Sequence, residues 1–156
     1  MFRNSKLTLA LVALAVVALA IPAMSLAGKN TIELAAKLKG QNEVPGPGDK
    51  NGKGNADIQL KAKKKKVCFA LGISKLDTVT ASHIHKGGPD VAGDIKVLLF
   101  EDESGLPGTG DFEGCTKGVK KKLVKKIGKS PEKYYVNVHT VDFPAGAIRG
   151  QLKLAK

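Results

Sequence analysis

The chain has 156 residues, with 26 lysines and arginines against 14 aspartates and glutamates, a formal charge of +12 and no tryptophan. That length holds one domain with one core. The charge favours acidic partners, and the scarcity of aromatic residues argues against a stacking platform for bases or sugars.

Residues 1–27 read as a signal peptide. Arg3 and Lys6 form a positive start, and "LTLALVALAVVALAIPA" is an uncharged apolar run. "SLA" then puts Ser25 and Ala27 at the small positions a signal peptidase requires. The run is near the minimum for spanning a membrane, so cleavage after Ala27 is expected rather than a retained anchor. Loss of Arg3 and Lys6 takes the formal charge from +12 to +10. Residues 28–156 are thus expected to be secreted or periplasmic, with no transmembrane segment. Export makes nucleic acid the least expected acidic partner and leaves an anionic polymer or envelope surface.

The mature sequence opens on a period of two. In "TIELAAKLK", Ile32, Leu34, Ala36 and Leu38 share one parity and the charges share the other, which predicts a half-buried strand. "GQNEVPGPGDKNGKG" reads as a loop, broken by Pro45, Pro47 and Asn51-Gly52. "NADIQLKA" alternates again, "KAKKKK" reads as a solvated hairpin connection, and "VCFALGI" continues the sheet with Val67, Phe69, Leu71 and Ile73 inward. Cys68 then faces outward. With Cys115 it makes an even count in an oxidising compartment, and one disulfide is the expected pairing. It would close a loop of 46 residues, worth roughly 3–4 kcal/mol, and staple a loop or edge across the outer side of the sheet. The distance of both cysteines from the histidine motifs argues against a shared metal.

"TASHIH" and "DIKVLLF" are further predicted strands around the turn "KGGPDVAG", and "ESGLPGTG" is read as loop. In "VKKKLVKKIGKSPE", Leu123, Val124 and Ile127 recur at helical spacing against a lysine face, with Gly128 and Pro131 ending the helix. "YYVNVHT" and "AIRGQLKL" finish as strands joined at "VDFPAG". About seven to eight strands and one short helix give an all-β, single-domain antiparallel β-sandwich, Greek-key-like in its connections.

"QNEVP", "ASHIHKGGPDVAGDIKVLL" and "YYVNVHTVDFPAGAIRGQL", in that order, resemble the CHRD domain, named after chordin, over about residues 31–154. Residues 28–156 are therefore expected to be one CHRD-like domain. The resemblance implies an extracytoplasmic β-sandwich and supplies no general activity for small exported members. In the family the last motif usually reads G-E-I-R-G. Here Ala147 stands at the glutamate position.

All three histidines lie in the predicted strands. Residues two apart face the same way, so His83 and His85 project together while Ile84 turns to the core. Val136 and Val138 share the core parity of their strand, which leaves Tyr135, Asn137 and His139 on the other face. If the two strands are neighbours, the histidines can converge on copper or zinc, with a water or carboxylate as fourth ligand. Asp90, Asp94, Asp142 and Glu43 are candidates for that carboxylate. The competing reading is structural, with imidazoles bonded to loop carbonyls or carboxylates near the strand ends. Asn137 either orders the "HIH" segment or faces water.

Glu43 and Arg149 form a further candidate pair, in which a bidentate contact would pin the proline-bounded loop across the sheet. Lys61 with Lys63, Lys64, Lys65 and Lys66 makes one basic cluster. Lys120, Lys121, Lys122, Lys125, Lys126 and Lys129 make another. Each reads as a solvated face or as a patch for an anionic polymer. Ser82 and His83 are sequence neighbours on opposite faces and make no dyad, and there is no GxSxG, HExxH or CxxC. The expectation is a binding or structural domain rather than an enzyme. The alternatives are a mononuclear copper redox enzyme of superoxide-dismutase-like architecture and a basic envelope protein. Three histidines are too few for the dinuclear site of copper-zinc superoxide dismutase.

Overall fold

The computed structural model describes residues 30–156, so the predicted signal peptide lies outside the described residues. β1 (Ile32–Lys39) pairs antiparallel with β2 (Lys53–Lys61), from Ile32 opposite Leu60 to Lys39 opposite Lys53. β2 pairs with β3 (Lys66–Ser74) through the lysine turn. In all three strands the alternation sends one parity inward, where Leu34, Leu38, Ile58, Leu60, Val67 and Leu71 are almost fully buried. The second half contributes β4 (Val79–Lys86), β5 (Ile95–Leu106), β7 (Tyr134–Thr140) and β8 (Ile148–Gln151). Its inward residues include Val79, Ile84, Val97, Val136, Val138 and Ile148, and both halves share one core.

The strand order is β5-β4-β7-β8-β1-β2-β3-β6, with β9 (Lys153–Leu154) also pairing with β1. β6 (Gly110–Lys117) begins where a loop was expected to end, and β5 runs on through Leu106 into that expected loop. The count is therefore nine strands rather than seven or eight. The sheet curls until its ends approach. The Thr116 hydroxyl on β6 donates to the Leu98 carbonyl on β5 at 2.5 Å. Phe100 stacks on Phe112 with centroids 5.9 Å apart, and Phe69 lies 6.0 Å from Phe100. The result is a nearly closed β-sandwich.

Cys68 and Cys115 sit directly opposite one another on β3 and β6 and form a disulfide, which ties the edge strand to its neighbour. α1 (Lys121–Lys129) caps one end, burying Val124 and Ile127 beside the β2–β3 turn. The Val119 amide donates to the Lys65 carbonyl at 3.0 Å there. Gly128 does not end this helix, as its residue type suggested, but lies within it. A Cβ at that position would stand 2.5 Å from Ile32 Cδ1, so the glycine lets α1 close down on β1.

β4, β7 and β8 are buried on both faces. The loops at 40–52 and 87–94 fold over the face that their parity assigns to water. Arg149, with 1% exposure, holds the second loop by donating from Nη2 to the Gly88 and Val91 carbonyls at 2.6 and 3.1 Å. Gln151 donates to Gly87 at 2.9 Å, and Asn42 donates to the Arg149 carbonyl at 3.1 Å. Glu43 is also buried and lines the same cavity of about 390 Å³ as Arg149 and Asp90. The two opposite charges do not make the bidentate contact. Among the described residues, the ion pair is Lys96–Asp94. Glu43 Oε1 and Arg149 Nη1 instead remain buried without hydrogen-bond partners. Burial pushes the Glu43 carboxyl up to about 7, with the attraction of Arg149 and the Val44 amide offsetting only part of the effect.

Two measurements check this architecture. Cys68→Ser/Cys115→Ser is expected to keep the fold in circular dichroism but lose about 3–4 kcal/mol in denaturant unfolding. For Glu43, the unfolded carboxyl ionises at its ordinary value while the folded one keeps its proton to about 7. Its contribution to stability therefore falls as pH rises from about 4.5 to about 7, by no more than about 1.4 kcal/mol per pH unit. Glu43→Gln removes that slope, so the variant should gain on the parent across the window and hold a constant difference above it. A difference flat in pH would contradict the assignment.

Candidate metal centre

β4 and β7 are neighbours, with Ala81 opposite His139, His83 opposite Asn137 and His85 opposite Tyr135. This register sets His139 diagonally beside His83, on the face where His83 and His85 already project together. Ring centroids are 4.9 Å apart for His83–His139, 5.5 Å for His83–His85 and 6.4 Å for His85–His139. One ligand nitrogen from each ring lies within 4.8 Å of the other two. The expected convergence of the three side chains is present. The strand faces water by parity only, for His83 and His85 are 9% and 8% exposed and His139 is half-buried.

The hydrogen bonds fix the tautomers of His85 and His139. His85 Nδ1 lies 2.7 Å from the Gly93 carbonyl, which can only accept, so Nδ1 carries the proton and Nε2 the lone pair. His139 Nδ1 donates in the same way to the Pro144 carbonyl at 3.0 Å, and its Nε2 accepts from the Asn137 amide at 2.8 Å. His85 Nε2 and His83 Nδ1 are buried with no partner. Tyr135 stacks on His85 at 4.8 Å with the rings 7° from parallel, and its hydroxyl accepts from the Gly93 amide at 3.1 Å. The Arg149 guanidinium covers the other side of Tyr135 at 3.4 Å from the ring centre. A side chain at Gly93 would run into the Lys86 carbonyl, so a glycine is required where the loop turns back to His85.

Burial holds all three imidazoles neutral. It pushes His83 down to about 4, with His139 and His85 adding to the effect and the Asn137 bond opposing it. His85 and His139 are lowered first by burial as well, against the hydrogen bonds to Gly93 and Pro144. The site is thus a group of uncharged nitrogen acceptors with too few donors.

That donor set fits a divalent transition metal. Zinc–nitrogen bonds of about 2.0–2.1 Å in a tetrahedron need nitrogens about 3.4 Å apart, so the rings must close by no more than about 1.4 Å. Ligating histidines usually donate their other ring proton to a carbonyl or carboxylate, as His85 and His139 do here. None of the four proposed carboxylates joins the cluster among the described residues. Asp90 and Asp142 are exposed, Asp94 pairs with Lys96, and Glu43 lies in the Arg149 cavity.

Ser82 does not serve His83, because its hydroxyl donates to the Asn137 carbonyl at 2.7 Å. Asn137, left open between two roles by the sequence, is buried and bonded to His139. Gly93 and Pro144 had no signal as site residues, since they act through backbone carbonyls, and Tyr135 was placed on the histidine face by parity but without a role. Lys63, Lys64, Lys65 and Lys66 stand on the β2–β3 turn and the start of β3, while Lys121, Lys122, Lys125 and Lys126 stand on α1. The Val119–Lys65 bond brings these two clusters to one end of the sandwich.

The family model of the CHRD domain matches residues 34–152. No curated protein matches the chain closely. The matched span runs from within β1 to the residue after β8 and takes in the three histidines, Asn137, Arg149 and both cysteines. The sandwich, its order of motifs and this match agree, and the chain belongs to the CHRD domain family.

Proposed function

We propose that this CHRD domain is an exported protein that binds one copper or zinc ion through His83, His85 and His139. The observation that carries the reading is the meeting of three neutral imidazoles, of which His83 Nδ1 and His85 Nε2 are buried without a partner and His139 Nε2 faces them with only the Asn137 amide as donor. A buried polar nitrogen without a partner costs free energy, and a cation facing all three rings would satisfy the two orphaned nitrogens together with that of His139. Imidazole suits copper and zinc in particular. The leader-like start and a disulfide support an oxidising compartment.

His83, His85 and His139 would hold the ion, and copper bound by them would supply redox chemistry. The protein's own residues hold and orient the ligands. Gly93 and Pro144 fix the ring protons on Nδ1, Tyr135 braces His85, and the 87–94 loop keeps bulk water from two of the rings. Binding is favoured over turnover because, among the described residues, no carboxylate or cysteine joins the cluster and the Ser82 hydroxyl is engaged by the Asn137 carbonyl.

The test is elemental analysis and titration of the untagged protein with Cu(II) and Zn(II), beside His83→Ala and His85→Ala/His139→Ala. The parent is expected to bind one equivalent. Each variant should lose more than the roughly 10–100-fold that removal of an outer hydrogen-bond partner costs. Undiminished binding by folded variants would end the metal reading, and superoxide- or ascorbate-coupled turnover by the copper form would move it to the redox enzyme.

A further inference from the structure

A second concentration of chemistry lies at the end of the sandwich capped by α1, and it does not depend on the metal. A cleft of about 420 Å³ is lined there by Lys86 from the end of β4, Lys96 from β5, Lys126 and Lys129 from α1, and Lys133 from the turn before β7. Only Lys126 and Lys129 belong to the clusters visible in the sequence. Lys86 and Lys96 lie 43 and 33 residues before Lys129, and Lys133 lies 4 after it, and the fold alone brings them together.

The wall has no carboxylate of its own. Lys96 pairs with Asp94 at 3.0 Å, and Asp94 is largely exposed, so that contact is weak in water and yields to a competitor. Lys86, Lys126, Lys129 and Lys133 have no ion-pair partner among the described residues. Five like charges round one hollow repel one another, and an anion in the hollow reverses the sign of that interaction. Lys126 and Lys129 are three apart and share one helix face. The basic surface continues from them over Lys122 and Lys125 to the lysine turn at 63–65, because Val119 is bonded to Lys65.

We propose that this cleft binds a linear polyanion carrying repeated phosphate or sulfate groups. Lysine ammonium groups act as point charges and do not demand the flat, two-point geometry that arginine recognises. The one arginine among the described residues, Arg149, is buried elsewhere. Tyr134 in the wall is 4% exposed and offers no face for a base. The hollow suits a chain laid along it, whereas a membrane presents a flat surface.

The experiment uses the full chain with three probes: heparin for sulfate, inorganic polyphosphate for phosphate, and anionic phospholipid vesicles. Lys126→Ala/Lys129→Ala/Lys133→Ala is compared with Lys37→Ala/Lys39→Ala/Lys53→Ala. The second set removes the same charge from exposed positions of β1 and β2, where Lys39 and Lys53 pair at the end away from α1. Circular dichroism shows that both sets fold. The parent is expected to bind heparin or polyphosphate with affinity that falls steeply with salt. The cleft variant should lose about tenfold or more and about two units of the salt slope, and the control less than about twofold. The better of the two soluble probes identifies the anion. Equal losses in both variants would make the effect one of net charge and overturn the cleft. Binding to vesicles alone, or to none of the probes at low salt, would overturn it as well.

Discussion

Arg149 leaves β8 on the face that a period of two would give to water, yet its guanidinium is 1% exposed. It lies flat on Tyr135 and donates to the carbonyls of Gly88 and Val91, so the 87–94 segment is held down over β4 and β7. The same segment delivers the Gly93 carbonyl to His85 and the Gly93 amide to Tyr135. A chain of contacts therefore runs from one buried cation, through an aromatic ring, to the imidazole that depends on both. A planar, always charged group suits that position, because it can stack and donate at once.

The histidine cluster shows how burial selects chemistry. Exposed imidazoles near one another would charge and separate as acidity rises. Under a covering loop, the charged form is penalised by lost hydration, and all three rings are held neutral. Backbone carbonyls then choose which nitrogen of His85 and His139 keeps its proton. The structural and metal readings of these residues thus share their geometry. Carbonyl-bonded histidines account for two of the three Nδ1 positions and turn the Nε2 lone pairs of His85 and His139 toward the centre of the cluster.

The strands that were legible in the sequence are those with one wet face. β1, β2 and β3 alternate because Leu34, Ile58 and Leu71 point inward while Glu33, Asp57 and the small Ala70 point out. β4 and β7 kept the correct parity for His83, His85 and His139, but parity could not reveal that the outward face is roofed by loops. β6 was missed because "GDFEGCTK" has Phe112 as its one large apolar side chain, so its place is set by pairing with β3 and by Cys115. Gly128 resembled a helix end by residue type, while tertiary contact with Ile32 explains its presence inside α1. The lysine cleft was illegible for a different reason. Its walls come from β4, β5, α1 and the turn before β7, and no local pattern connects them.

The meeting of β5 and β6 has a consequence for how copies of this protein behave side by side. An open sheet ends in two rows of unpaired amides and carbonyls that can recruit a strand from another molecule. Here the two terminal strands face one another across a hydroxyl–carbonyl bond and a pair of stacked phenyl rings. β6 is further tethered to β3 by a covalent link. A visiting strand would have to displace this closure before it found a template, which leaves the folded molecule a poor seed for edge-to-edge polymerisation.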